Sequence, residues 1–587
     1  MFFALYLRRL SPTLSLRGDS AELVTAAAVW GVPHPPGYPL FTSIAHVFTW
    51  LPLETLPWRV HLTSAVFHAA TVGVTVLATF ALTRHRVASL AAGILLGLER
   101  SFLLGSLYAE VFPLNDLFFA WLLLLGLRVR EGRIRALPFA FGCGVAAAHH
   151  MMIALAAPAM GILVLPALRA RRSWREWGLL SCAFLIPVLL AYSLVPLAAA
   201  RDPALSWGDV HDASSFVRLV ARSDYGGVFS AVHGAGHGTG WARMVAWGQL
   251  VATGFGSVAI LLAAVGLVFE LRRRRASGIA FLAAVVTTGP FFSWLNAVAI
   301  ETPSGLAFFE RFTTMSAVPL AILAGAGVAS VAEHARGAPW ARRAAAVALG
   351  ALLTLCFFQA RDVDLHQDRR GVAFAHDLVT STPDNSLLLL TGDAPTNAAL
   401  YVCAVERACG TRVALAPGTL FMPWAMAQAR RRHGDVAIPW ESGPALRRTH
   451  EIAVLAASTR PVFVYPDLLE KDSMLERTLL PLPAHLLFRL WPRDADAVEE
   501  QAAFEASARS LVTGKGCEGC SLSNESETVA DEAGIVAAYE AAAFNHARVA
   551  ATFPETRDLV SPLLARSGPY AQRGGESMSR NSSSSSR

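Results

Sequence analysis

Charge is what this chain has least of: only 16% of its 587 residues are Asp, Glu, Lys or Arg, and lysine occurs only at Lys471 and Lys515. So few charges cannot cover the surface of an ordinary soluble protein. The 54% hydrophobic content and mean hydropathy of +0.43 fit a protein whose solvent is largely lipid. A basic stripe, a Walker loop, a strand-to-helix G-x-G-x-x-G dinucleotide site and an internal repeat are all missing. Their absence removes the sequence grounds for nucleic-acid binding, P-loop nucleotide hydrolysis, dinucleotide chemistry and a transporter built from repeated halves. The net charge of +6 does not restore nucleic acid as a partner, because the arginines fall in short clusters between apolar runs and read as topology signals.

Cysteine is sparse, with seven in all. Cys143, Cys182 and Cys356 lie inside apolar runs, where a small hydrophobe suffices. Cys403 and Cys409 are close enough in sequence to bridge. Cys517-Glu-Gly-Cys520 has the spacing of half a zinc site or of a redox dithiol, but no second Cys pair or His pair accompanies it. A local disulfide is the better reading there.

Apolar segments of spanning length run over about 60–83, 86–105, 111–128, 137–151, 152–168, 178–198, 247–269, 277–299, 313–332 and 341–358. The basic clusters Arg84-His85-Arg86, Arg128 to Arg135, Arg169 to Arg175, Arg272 to Arg275, and Arg336 with Arg342-Arg343 then fall on one side of the membrane. This requires 137–168 to be a helical hairpin, and the positive-inside rule makes that side cytoplasmic. Asp19, Glu22, Glu110, His149-His150, the loop 199–245, Glu310-Arg311 and everything after about 360 share the other side. The N-terminus fits poorly. Met1 to Leu16 is short and interrupted by Arg8-Arg9, so a truncated or missing first span is expected.

Beyond about 360 the composition changes. Leu387–Leu390 and Pro461–Tyr465 read as buried strands, and 394–408, 421–432 and 443–458 as helices. The division expected is a transmembrane region 1–359 with outer loops 14–59 and 199–245, a soluble α/β region 360–566, and a tail 567–587 disordered by composition. Asn524 and Asn581 match short glycosylation patterns.

The most informative stretch is R-G-D-S-A-E-L-V-T-A-A-A-V-W-G-V-P-H-P-P-G-Y-P, residues 17–39. Asp19 and Glu22 sit three apart and share a face of a helical turn. Four prolines and two glycines shape the loop that follows. From composition alone the bland reading of Asp19 is a helix N-cap. D-S-A-E with G-V-P-H-P-P-G-Y-P-L resembles the signature of the domain-of-unknown-function family 2723, usually D-S-G-E with the same P-H-P-P-G-Y-P core. That family is similar to the transmembrane protein 260 type protein O-mannosyltransferases of the GT-C superfamily, and the resemblance extends over about the first 330 residues.

The resemblance implies a GT-C-like helical membrane fold and inverting transfer of a sugar, mannose in the relatives, from a polyprenyl-phosphate donor to an acceptor hydroxyl. The acceptor is a protein Ser/Thr or a glycan, and transfer occurs outside a bacterial inner membrane. It makes Asp19 the general base, with Glu22 as supporting acid or alternative base, because a Ser or Thr hydroxyl must lose its proton as it attacks. The departing phosphate needs donors. Arg311 leads, followed by Arg222 and Arg218; an Arg311–Glu310 ion pair or a snorkelling side chain competes equally. His149 and His150 can donate to phosphate or pair with Glu110, which lies in an A-E-x-x-x-L-N segment like the family's. His34, Tyr38 and Trp207 also occupy family-like positions, framing substrate, with a surface aromatic as the plain alternative for Trp207. A divalent metal on Asp19, Glu22, Glu110 and His149 is chemically conceivable; no cofactor is assigned. The competing function is a non-enzymatic transporter or binding protein for lipid-linked sugars.

Overall fold

The structure is a computed structural model and describes residues 1–169, 173–227, 239–335, 339–438, 445–471, 473–513 and 535–567. The Cys517-Cys520 pair, Asn524, Asn581 and the serine-rich tail after 567 lie outside them.

Among the described residues eight helices are long and apolar enough to cross a membrane: Leu56–Thr83, Phe112–Arg130, Met151–Arg169, Trp174–Ala199, Gly240–Arg273, Arg275–Leu295, Ser304–His334 and Pro339–Ala360. Ten segments were expected, and two fall short. The 86–105 run is split into Arg86–Leu98 and Arg100–Gly105, because the Glu99 carboxylate accepts the Phe102 N–H at 2.7 Å and starts a new helix. The 137–151 run is the helix Ala136–Ala147. At 1.5 Å per residue, 12 or 13 residues reach about 20 Å, less than the ~30 Å hydrocarbon core, yet both stretches still lead from one end of the bundle to the other: Arg84 and Arg133 pair with Glu131 at one end, and Glu110 and His150 lie at the end that holds Asp19.

Small residues set how closely the spans approach. A Cβ on Gly266 would overlap the Leu323 carbonyl, and one on Gly327 the Leu262 carbonyl, so Gly240–Arg273 and Ser304–His334 meet backbone to backbone. The N-terminal helix Phe2–Arg9 is anchored by the Tyr6 hydroxyl donating to the Gly97 carbonyl at 3.0 Å. The segment after it is laced to 360–368 by Arg9 Nη1 on the Ala360 and Val363 carbonyls and by Thr13 Oγ1 on the Asp368 carbonyl.

The C-terminal region holds a five-stranded sheet in the order β2-β1-β3-β5-β4: β1 Leu387–Leu389, β2 Val413–Leu415, β3 Val462–Val464, β4 Leu479–Ala484 and β5 Leu487–Pro492. β1 is parallel to β2 and β3, with Leu388 opposite Ala414 and Phe463, and β5 is antiparallel to β3 and β4. Both strands read from sequence are present, and the helices fall at Asp393–Ala404, Pro423–Arg432 and Ala445–Ala457. β2 and the β4–β5 hairpin were not foreseen. Pro481 and Pro483, which argue against a strand, sit on β4 at the sheet edge, where a missing N–H costs no ladder bond.

The bundle has two chemically distinct ends. At one, Glu131 gathers Arg84 at 2.8 Å, Arg133 at 2.9 Å and Arg274 at 3.2 Å. At the other, residues from 19, 34, 110, 150, 222 and 311 converge beside the sheet region. Reporter fusions or cysteine labelling at Arg130 and Arg273 are therefore expected to read one side of the membrane, and at Ser215, Gly305 and His450 the other. His450 reading with Arg273 would overturn this arrangement.

Candidate active site

The helix Ser20–Val29 begins after a tight turn in which Gly18 has φ +50°. A Cβ there would collide with the Glu110 carboxylate and the Arg311 guanidinium, so this glycine is required for close approach as well as for its backbone angle. Asp19 occupies the N-cap position, yet its side chain makes no capping hydrogen bond. The carboxylate turns instead to Arg311, whose Nη1 lies 3.1 Å from Asp19 Oδ2 and 2.7 Å from Glu110 Oε1. Glu110 Oε1 also accepts the Asp19 backbone N–H at 3.1 Å. The Arg311 guanidinium stands over the Phe308 ring, 3.8 Å from its centroid, with Phe112 and Phe312 flanking. The competing Arg311–Glu310 pair is not what forms. Glu310 takes Arg100 at 2.8 Å and the Ser101 hydroxyl at 2.9 Å, leaving Arg311 to the two carboxylates.

Glu22 faces His34. One oxygen accepts the His34 backbone N–H at 2.7 Å and the other lies 2.5 Å from His34 Nδ1, which sends Nε2 toward Asp19 Oδ2 at 3.9 Å. The loop carrying His34 is held from both sides. The Gly37 N–H closes a turn onto the His34 carbonyl, the Arg222 guanidinium donates to the Pro35 carbonyl at 2.8 Å, and the Pro35–Pro36 peptide is cis. Tyr38 meets the His34 ring edge-on at 5.1 Å and stacks on His150 at 5.6 Å.

Charge states follow from these neighbours. Desolvation opposes ionisation of Asp19, but Arg311, His34 and Arg222 prevail and hold its carboxyl below the usual range. Desolvation also opposes the charge on His34, yet Glu22 and Asp19 push it up to about 9. Glu110 is pushed up to about 7 by burial, with Asp19 adding to the rise and Arg311 working against it. The site therefore presents an ionised Asp19 between two cations, with a second carboxyl behind it that is poised near neutrality.

His149 and His150 are brought near, but not as ion-pair partners of Glu110. His149 Nε2 bonds the Val111 carbonyl at 2.8 Å, and His150 Nδ1 accepts the Met152 N–H. Burial lowers the His149 ring to about 4 and takes His150 well below its usual value, so both are neutral. Trp207 stacks on Tyr225 and donates its indole N–H to Asp224 at 3.1 Å; Trp424 donates to the same carboxylate oxygen at 3.1 Å. Trp207 is thus a fastener between the outer loop and the C-terminal region. Asp19, Glu22, Glu110 and His149 do not converge on a point, and among the described residues no group of three or more His, Cys, Asp or Glu is arranged to hold a metal ion. Asp393, at the start of Asp393–Ala404, was missed. Desolvation, then repulsion from Asp19 and Glu22, raises its carboxyl. Its sequence signal is the T-G-D that follows the apolar Leu387–Leu390 run.

Residues 19–173 match the family model described as the Protein O-mannosyl-transferase TMEM260 N-terminal domain. Protein O-mannosyl-transferase TMEM260 of Mus musculus is 28% identical over 411 residues, covering 66% of this chain and 57% of the relative. The Dictyostelium discoideum protein of that name is 23% identical over 438 residues, covering 66% and 53%. The chain therefore spans little more than half the length of these relatives. Among solved structures, ArnT from Cupriavidus metallidurans bound to undecaprenyl phosphate superposes with a TM-score of 0.52 at 12% identity, over 83% of this chain and 95% of that one. Its apo form gives 0.50 at 13%. At such identity the likeness is one of fold, and the fold is that of the GT-C membrane proteins. In sequence the chain is similar to the TMEM260-type protein O-mannosyltransferases, as the Asp19 to Leu40 signature implied.

Two outcomes are expected from this geometry. Gly18→Ala destabilises the fold by at least about 1 kcal/mol, read as a lower thermal midpoint in detergent, because strain and collision act together. His34 has a folded pKa above its unfolded one, so its ionic contribution is fully present below about pH 6.5 and is lost as pH rises through about 9. The stability gap between wild type and Glu22→Gln, on the order of 2–3 kcal/mol at most, is expected to close over that window. A gap unchanged across it would remove the ionic Glu22–His34 pair.

Proposed function

We propose that the protein is a glycosyltransferase that moves a sugar, mannose by kinship, from a polyprenyl-phosphate donor to an acceptor hydroxyl on the extracytoplasmic face, with inversion at the anomeric carbon. The observation that carries the reading is the Asp19 carboxylate. It is kept ionised by Arg311 and His34 and not spent on capping the helix it begins.

In this reading the acceptor oxygen attacks the anomeric carbon, its O–H proton passes to Asp19, and the anomeric C–O bond to phosphate breaks with its electron pair leaving on the phosphate. Arg311, His34 and Arg222 supply the positive charge that the departing phosphate needs. The arginines gathered at the Glu131 end of the bundle support a cytoplasmic side there under the positive-inside rule, and with it an Asp19 end outside. The curated names of the relatives and the undecaprenyl phosphate bound by ArnT support this choice of sugar and donor class.

Asp19→Asn retains shape but cannot take a proton. Turnover with a polyprenyl-phosphate mannose and a peptide or glycan acceptor is expected to fall roughly 10²- to 10⁴-fold while donor binding persists. Undiminished transfer by the variant would remove Asp19 as base. Donor binding by wild type with no transfer to any acceptor would favour a binding protein or transporter.

A further inference from the structure

His149 and His150 stand side by side just after the helix Ala136–Ala147, and their rings are put to different uses. His149 is fully buried and donates from Nε2 to the Val111 carbonyl at 2.8 Å, which ties this helix end to the turn that carries Glu110. Its one ring proton is thereby spent. His150 caps the short helix Met151–Ala156, its Nδ1 accepting the Met152 N–H at 3.1 Å. A ring nitrogen that accepts carries no proton, so the proton of a neutral His150 sits on Nε2. That N–H has no hydrogen-bond partner among the described residues, and it is not one of the polar atoms sealed inside the fold. It is open to whatever enters the site.

The His150 ring is held in place from two sides. Tyr38 stacks on it at 5.6 Å with the planes only 6° apart, and Phe112 leans on it at 5.5 Å. The same two residues reach the charged centre of the site, since Tyr38 meets His34 edge-on at 5.1 Å and the Arg311 guanidinium stands 5.6 Å from the Phe112 centroid. One aromatic residue therefore separates His150 from each of two cations. A third, Arg222, is fixed to the Pro35 carbonyl of the loop that carries His34 and Tyr38. Burial first, and then the positive groups around it, Arg222, His34 and Arg311 among them, oppose a second proton on His150. The ring stays neutral.

We propose that the Nε2–H of His150 is an uncharged hydrogen-bond donor to the phosphate of the lipid-linked sugar, and that His149 takes no part in binding substrate. The inference rests on the transferase reading above. An N–H set among three cations lies in a positive field, which draws an anion to it in preference to a neutral hydroxyl. As the anomeric C–O bond breaks, its electron pair passes to the phosphate oxygen, a singly charged diester becomes a doubly charged monoester, and the acceptor's proton goes to Asp19. His150 keeps its own proton throughout. Its hydrogen bond strengthens as negative charge gathers on the oxygen, which favours the transition state over the bound donor. Because the ring is neutral and its tautomer fixed, this contact does not titrate over the range in which Asp19 and His34 are both charged.

The test uses purified full-length protein, with undecaprenyl phosphate as the binding probe and a polyprenyl-phosphate mannose for turnover. His150→Phe keeps a ring between Tyr38 and Phe112 but loses the donor, whereas His150→Gln can bring an amide N–H to the place of Nε2. The Phe variant is expected to bind undecaprenyl phosphate about ten- to a hundredfold more weakly, the worth of a hydrogen bond to a charged group, and to lose at least as much in kcat/KM for the donor with the acceptor KM unchanged. The Gln variant is expected to recover most of both, and each variant to keep both limbs of the wild-type pH profile. His149→Gln is expected to lower the thermal midpoint and leave the affinity of the folded protein unchanged. Binding that depends on His150 without transfer by wild type to any acceptor overturns the transferase reading and keeps the phosphate contact. Wild-type affinity in folded His150→Phe, no recovery in folded His150→Gln, a loss confined to the acceptor KM, or the disappearance of one limb of the pH profile overturns the contact.

Discussion

Arg311 holds together the two carboxylates on which the site is built. Asp19 comes from the start of the chain, Glu110 from the turn before Phe112–Arg130, and Arg311 from the Arg311–Thr313 turn inside Ser304–His334; the three meet within 3.1 Å. Two carboxylates this close repel unless a cation lies between them, and breaking a buried pair by removing one partner typically costs 3–5 kcal/mol. Placing the cation also required diverting Glu310, its sequence neighbour, to Arg100 and Ser101. The guanidinium is further fixed by the Phe308 face beneath it, an arrangement a lysine could not reproduce because it has neither the planar fork nor the stacking surface. The N-terminal loop therefore takes its position from residues 91 and 292 positions away in sequence.

Around this centre the structure is layered by hydrogen bonds that run outward. Glu22 holds both the backbone and the ring of His34, Val32 bonds to the backbone of Leu205 and Trp207, and the loop that carries them is riveted to Pro423–Arg432 by Arg431, Arg432 and the shared Asp224. One continuous apolar cluster runs from Phe119 and Phe281 in the bundle through Leu14 and Leu16 to Phe374 and Leu388 of the C-terminal region. Separating that region from the bundle would thus expose apolar surface as well as break ion pairs.

How much of this was legible depended on whether the signal was local. Hydropathy and arginine clusters gave the spans, because lipid permits few ways to satisfy a backbone and topology follows charge. At 86–105 they gave one run where the structure has two consecutive helices, because one carboxylate at position 99 ends a helix inside the apolar run, a capping event that hydropathy averages away. β2 was too short to alternate visibly, and β4 was hidden by its own prolines. Within the site, Asp19, Glu22, His34, Tyr38, Glu110, Arg222 and Arg311 were all nominated from sequence and are brought together. The pairings were not foreseen, because partner choice is set by packing across nearly 300 residues of separation. The same holds for Trp207, an aromatic whose partner Asp224 and neighbour Trp424 are invisible as a set until the chain is folded.

The division of labour between Asp19 and Glu22 shows why spacing alone could not assign roles. Three residues apart on one helical face, they were interchangeable candidates, yet their surroundings separate them. Glu22 spends both oxygens on His34, one on its backbone and one on its ring. Asp19 shares its carboxylate with Arg311 and Nε2 of the same histidine, and its side chain remains 20% exposed against 7% for Glu22. The more exposed carboxylate is the one an incoming hydroxyl can reach. The less exposed one fixes the imidazolium that, with Arg311, keeps its neighbour ionised. A residue placed to support a charge is poorly placed to accept a proton, because protonating it would release the cation it holds. In the transferase reading proposed above, Glu22 is then the positioning group for His34 and Asp19 the carboxylate that serves as base.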